Sequence, residues 1–162
     1  MRQRLMIGEI WRSAVLALFL LLPVAASAQE ADLRKTALAI ETPSGERHVF
    51  QVEWAGTAAE REHGLMFRTE LDADSGMIFD FGEARTVMMW MKNTPLSLDM
   101  LFIDEKGVVS RIAERTVPYS EDIIASPGPV RYVLEVNGGR SAALGIVPGS
   151  RVDVDAARAA LK

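Results

Sequence analysis

The sequence predicts a mostly β chain of the β-rich α+β kind: a compact antiparallel sheet, barrel-like or folded on itself, with two short helices. Three observations carry this expectation. Short apolar segments with a period of two recur along the chain, separated by turns rich in Gly, Pro, Asp and Ser. Only two stretches carry helix punctuation. No segment between strands is long enough for the long crossover helices of an α/β fold.

The elements follow in order. "TALAIET" alternates Leu38 and Ile40 with small residues, and "PSGE" at 43–46 turns the chain into "RHVFQVEWA". There Phe50, Val52 and Trp54 share one face and Gln51 and Glu53 the other, so the two segments predict a hairpin. Thr57 and Glu60 have the spacing of a capping box and Gly64 follows as a stop, which predicts a helix of about two turns. After a polar loop, "GMIFDF" places Met77, Phe79 and Phe81 on one strand face. "TVMMWMK" (86–92) and "LDMLFID" (98–104) are apolar on both faces and predict central or covered strands. "DEKG" turns into "VVSRIAERTV", a returning strand; "PYSEDIIASPGPV" is irregular; "RYVLEV" is a further strand. "NGGRSAALG" predicts a second short helix with Gly145 as its stop, "RVDV" a last strand, and "AARAALK" a helical or frayed tail. The resulting organisation is a signal peptide at 1–28, a flexible leader at 29–35, one β-rich domain at 36–155 and a C-terminal tail at 156–162.

The signal peptide is read from three regions. Arg2, Arg4 and Arg12 form a basic start, Ala14 to Leu22 an apolar run, and Ala26-Ser27-Ala28 a cleavage site of the A-x-A form. The run is shorter than the ~20 residues that cross a bilayer comfortably. A mature protein starting at Gln29, periplasmic or secreted and without stable membrane insertion, is therefore expected. The chain carries a formal charge of −4, and loss of Arg2, Arg4, Arg12 and Glu9 takes it to −6. An acidic domain without basic clusters argues against nucleic acid and anionic lipid as partners. The absence of cysteine excludes disulfides, thiolate metal sites, cysteine nucleophiles and lipid attachment at cysteine.

In this order, "EREHGLMFRTEL", "SGMIFDF", "MMWMKNTPLSLDMLFID", "VLEVNGG" and "GIVPGSRV" resemble the domain-of-unknown-function 192 family of bacteria and archaea, from about Val49 to Val154. "WMKNT…LDM.FID" and "VLE.N.G" are the most specific parts. The resemblance implies a compact β-rich fold with short helices, often exported, and no established activity. One position departs from it: the residue before Trp90 is usually aromatic, and here it is Met89. A paired aromatic clamp is therefore not expected.

Polar residues inside the apolar runs are the site candidates. If 86–92 and 98–104 form a hairpin closed by "TPLS", Lys92 lies opposite Asp99 and Trp90 opposite Leu101. One reading is then a cross-strand ion pair with no function. The other is a pocket floored by Trp90, with Lys92 and Asn93 donating to an anionic or carbonyl ligand. Asp99 and Glu135 are two acids in apolar strands. They could form the acid–base pair of a glycoside hydrolase, or each could pair with a cation from Lys92, Arg61, Arg68 and Arg131. Arg68 reads as a tie from a loop to the core carboxylates or as an anion clamp. Asn137 reads as a helix N-cap, with a phosphate cradle at "NGG" the weaker reading. His48 and His63 have no partner at metal-ligand spacing, and no catalytic motif is found, so neither a metal nor a cofactor is predicted. Met66, Met77, Met88, Met89, Met91 and Met100 read as core filler before they read as Cu(I) ligands. The expectation is an exported module that binds a small ligand or an envelope protein through Arg68, Trp90, Lys92, Asn93, Asp99, Glu135 and Asn137. Its rivals are an envelope-glycan hydrolase using Asp99 and Glu135, and a copper-handling protein.

Overall fold

A computed structural model of the chain describes residues 33–162; the expected signal peptide lies outside them. The first strand, β1 (Lys35–Glu41), pairs antiparallel with β2 (Arg47–Ala55) around the predicted turn. Helix α1 (Ala58–His63) carries both bonds of the capping box and stops at Gly64. Strand β3 (Ser75–Arg85) then runs parallel to β2, the one parallel pair among the described strands of a mostly antiparallel sheet. Residues 56–74 make this crossover with a single six-residue helix and loop, without the long crossover helix of an α/β fold.

The remaining elements are β4 (Met88–Met89), β5 (Leu98–Ile103), β6 (Val109–Ala113), β7 (Ile124–Ala125), β8 (Val130–Asn137), α2 (Arg140–Ala143), β9 (Arg151–Val152) and α3 (Val154–Ala159). The main sheet has the order β6-β5-β8-β3-β2-β1-β9. Its two ends meet. Val108 bridges Arg151, and the Val109 N–H donates to the Ser150 carbonyl at 2.9 Å. Gly107 permits this approach, because a Cβ there would strike the Val152 carbonyl oxygen and its φ of +79° suits glycine. The sheet is thus a nearly closed barrel, as the alternation of its strands predicted, with three short helices where two were expected, the third (α3) formed by the tail.

Each central strand has two buried faces. The inner face of the barrel holds Phe50, Trp54, Ile78, Leu101, Leu134 and Val136. On the outer face Met77, Phe79, Met100, Phe102 and Val133 form a second cluster, covered by Leu65, Val87 and Met91. That covering explains why β5 is apolar throughout. It also corrects the reading of 86–92 as a strand. Only Met88 and Met89 pair with a neighbour, the two residues of β7. Val87 and Met91 turn down onto the outer face of the sheet, and their N–H groups go to Ser126 Oγ and the Ser120 carbonyl, not to a ladder.

Candidate functional site

The predicted hairpin of Lys92 and Asp99 does not form. β5 pairs with β6 and β8, and Asp99 faces Val136 across the ladder. Lys92 lies in a turn before β5, its ammonium 5.1 Å from the centroid of the Trp90 ring. Asp99 is fully buried and accepts three backbone N–H groups: Arg115 and Gly139 on Oδ1 at 2.8 Å each, and Ser141 on Oδ2 at 2.9 Å. These donors come from the loop after β6 and the start of α2. Gly139 serves because its φ is +85° and a Cβ would meet the Arg115 guanidinium. Asp99 therefore needs no cation: the backbone supplies what a lysine would have supplied.

Asp99 shares the inner face with Val136, whereas Glu135, paired with Met77 and Met100, points to the outer face. The sheet separates the two acids, so they cannot act on one glycosidic bond. Arg68 makes a two-pronged contact with Glu53, Nη1 to Oε1 at 2.8 Å and Nη2 to Oε2 at 2.6 Å, which fits a tie from the loop to a strand carboxylate. Asn137 does not cap α2, whose N-cap is Gly139. Its amide donates to the Leu71 and Asp72 carbonyls at 2.8 and 3.0 Å and holds the crossover loop against β8. Asn93 takes a left-handed conformation (φ 55°), and its carbonyl accepts the Phe67 N–H at 2.8 Å.

Glu135, Trp90 and Lys92 do come together. They line one cleft of about 320 Å³ between α1 and the 88–94 segment. Phe79 and Leu65 are buried at its base, and Met88 and Trp90 are exposed at its rim. Trp90 is thus a rim residue and not a floor. Glu135 is 4% exposed, and its carboxyl has no hydrogen-bond or ion-pair partner among the described residues. Burial alone acts on it and pushes its pKa up to about 8, so it carries a proton at neutral pH.

Three further cleft residues were not among the expected site residues. Arg61 reaches from α1 to the Asp80 carbonyl at 2.8 Å and stacks on Phe81. Arg85 covers the same ring, 5.0 Å from its centroid. His63 also lines the cleft. Near it the backbone holds three non-glycine residues in the left-handed region, Phe67, Asn93 and Tyr119, tied by the Phe67–Asn93 bond and by Tyr119 N–H to the Thr94 carbonyl at 3.1 Å. Such conformations cost ~1–3 kcal/mol each and concentrate at functional loops. Asn93 is among the expected site residues, and Arg61 and His63 have other expected roles; Arg85, a cation between two apolar runs, is legible in the sequence but was not expected here.

The family model DUF192, described as Uncharacterized ACR, matches residues 39–154. The chain belongs to the DUF192 family. No curated protein matches it. Among solved structures it is similar to one from Sinorhizobium meliloti 1021 titled a "putative transcription regulator", with 50% identity over 76% of this chain and 96% of that one, at a TM-score of 0.75. It is also similar to a protein of unknown function from Novosphingobium aromaticivorans DSM 12444, with 42% identity over 77% of this chain and 89% of that one, at a TM-score of 0.74. The DUF192 match spans β1 to the start of α3, and so includes every element around the cleft.

Proposed function

We propose that this DUF192 protein is an exported, non-catalytic module that binds a small ligand in the cleft over Glu135. One observation carries the reading: a buried carboxyl with no partner, at the base of an open, largely apolar cleft. The carboxyl has no partner among the described residues, and its oxygens open into the cleft. Retaining Glu135 where methionine would pack against Met77 and Met100 makes sense if a ligand completes its hydrogen bonds. Export rests on the A-x-A signal pattern. Nucleic acid is not part of the reading, because the chain is acidic overall, −4 and −6 after loss of the signal.

The test is a fragment screen by protein-observed NMR. Hits should shift amides in 58–66, 88–94 and 133–136 together and saturably. Hits scattered over the barrel, or none at the cleft, would sink the reading.

A second reading has its own observation. Met66, Met88, Met89 and His63 line the same cleft, and thioethers with imidazole suit Cu(I). Arg61, Arg85 and Lys92 beside them oppose a cation. Stoichiometric Cu(I) uptake in a competition titration, lost in Met66→Leu/Met88→Leu, would replace the first reading with this one.

A further inference from the structure

The charge around the cleft runs against the charge of the chain. Arg61, Arg85 and Lys92 line it beside two acidic residues, Glu62 and the buried Glu135, while the protein as a whole is acidic. The three cations are not equivalent. Arg61 is committed to the Gly56 and Asp80 carbonyls and braces α1. Arg85 and Lys92 have no ion-pair partner among the described residues. Each is held by an aromatic face, Arg85 over Phe81 and Lys92 over Trp90. A ring can fix the position of a cation without neutralising it. The cleft therefore presents two placed, uncompensated positive charges at its exposed edge and an apolar base formed by Phe79 and Leu65.

We infer that the ligand is an anionic amphiphile, with its acidic headgroup held between Arg85 and Lys92 and its apolar body lying over Phe79 and Leu65 toward Glu135. This rests on the reading of the cleft as a binding site and adds the ligand's charge and polarity. The carboxyl at the base fits such a ligand only in its neutral form. As COOH it adds no negative charge that would repel the headgroup, and it can donate to an oxygen on the ligand's body where there is one. An ammonium ligand would meet the opposite arrangement, two cations at the entrance and a proton to displace at the base. The groups that face Glu135 across the cleft are Arg61, Glu62 and His63 from α1, Arg85 from β3 and Lys92 from the 90–94 turn. Binding should therefore weaken above pH 8, where Glu135 itself ionises.

Three probes of equal chain length decide the matter: hexanoate, hexylammonium and 1-hexanol, each titrated at pH 7 and followed by amide shifts of the intact protein. Hexanoate should bind at the cleft at least tenfold more tightly than hexylammonium. Arg85→Ala/Lys92→Ala should weaken hexanoate by tenfold or more and leave hexanol within a factor of two. Between pH 7 and 9 the hexanoate affinity should fall about tenfold in the wild type and stay flat in Glu135→Gln, whose neutral amide does not titrate. Cleft shifts with hexylammonium equal to or tighter than hexanoate would overturn the anion inference and leave the binding site standing. Equal affinity for all three would do the same, with apolar contact as the whole of recognition. No cleft shift from any probe, together with failure of the fragment screen, would overturn the site as well.

Discussion

Asp99 and Glu135 sit one ladder rung apart, on adjacent strands and on opposite faces of the same sheet, and the protein treats them in opposite ways. Asp99, on the inner face, is saturated by three backbone N–H donors. Glu135, on the outer face, is also buried but touches the cleft, and has none. Burial alone therefore does not mark a functional acid. Asp99 gathers the loop after β6 and the start of α2 onto β5, and its carboxylate is part of the fold. Glu135 gathers nothing. Its carboxyl costs stability to keep, and it opens onto a cleft.

The comparison breaks most easily at Asp99. Asp99→Ala would leave the Arg115, Gly139 and Ser141 N–H groups buried without an acceptor. At ~1–3 kcal/mol for each unsatisfied group, a loss of at least ~3 kcal/mol is expected, with relaxation and entering water limiting the sum. Urea denaturation of wild type and variant measures it. A loss under ~1 kcal/mol would show that the three donors find other partners and that Asp99 is not the staple described. Lys92→Met should not change this loss, since the two residues do not pair. Coupling above ~0.5 kcal/mol in a double-mutant cycle would contradict the structure.

These two acids also mark the limit of what the sequence makes legible. Strand alternation in 36–41 and 47–55 comes from one buried face, and that pattern is local, so the hairpin and the barrel-like class could be read. The capping box of Thr57 and Glu60 is local too. The donors to Asp99 are N–H groups that every residue has, at positions 115, 139 and 141, and no side-chain pattern announces them. The ion pair with Lys92 was inferred because side chains are the only partners a sequence displays. The 86–92 run resembled a strand because Val87 and Met91 are apolar, and its irregular path is fixed by bonds to Ser126 and Ser120, far along the chain. Glu135, Trp90 and Lys92 were legible as polar or bulky intruders. Their meeting in one cleft depends on the crossover that brings α1 over β3 and β8.

Glu135 should reveal itself through pH. Its folded pKa, about 8, stands above the ordinary 4.5. Below pH 4.5 the carboxyl is protonated in both states and has no effect on the pH slope. Between 4.5 and 8 the unfolded chain releases the proton and the folded one keeps it, so the unfolded state binds fewer protons and stability falls as pH rises. Above 8 the loss levels off. The slope is at most ~1.4 kcal/mol per pH unit, and the total is on the order of a few kcal/mol. Glu135→Gln should remove this component. Compared with wild type it should gain stability between pH 5 and pH 8.5, by ~2 kcal/mol or more at the upper end. A difference that does not change with pH would mean that Glu135 has found a partner, and the contrast with Asp99 would disappear.

Glu60 sharpens the comparison from the other side. Like Asp99 it accepts backbone N–H bonds, from Gly56 at 2.9 Å and Thr57 at 2.7 Å, but it does so at the exposed start of α1. The backbone bond from Thr57 is the main reason its pKa is lowered, against a smaller opposing effect of burial. Water can replace those bonds, so the same chemistry that is worth several kcal/mol at Asp99 should be worth ~0.5–1 kcal/mol here. A depressed carboxylate pKa contributes stability that is present above the unfolded value of 4.5 and is lost as pH falls through the lower folded value. Glu60→Gln should therefore be slightly less stable than wild type at pH 7 and equal to it in acid, the reverse of the Glu135 trend. Because α1 buries none of its own residues and forms one wall of the cleft, the variant should also raise amide exchange in 58–63 more than in the barrel strands. If Glu60→Gln costs as much as Asp99→Ala, exposure does not separate the two acids, and satisfaction by the backbone would be valuable wherever it occurs.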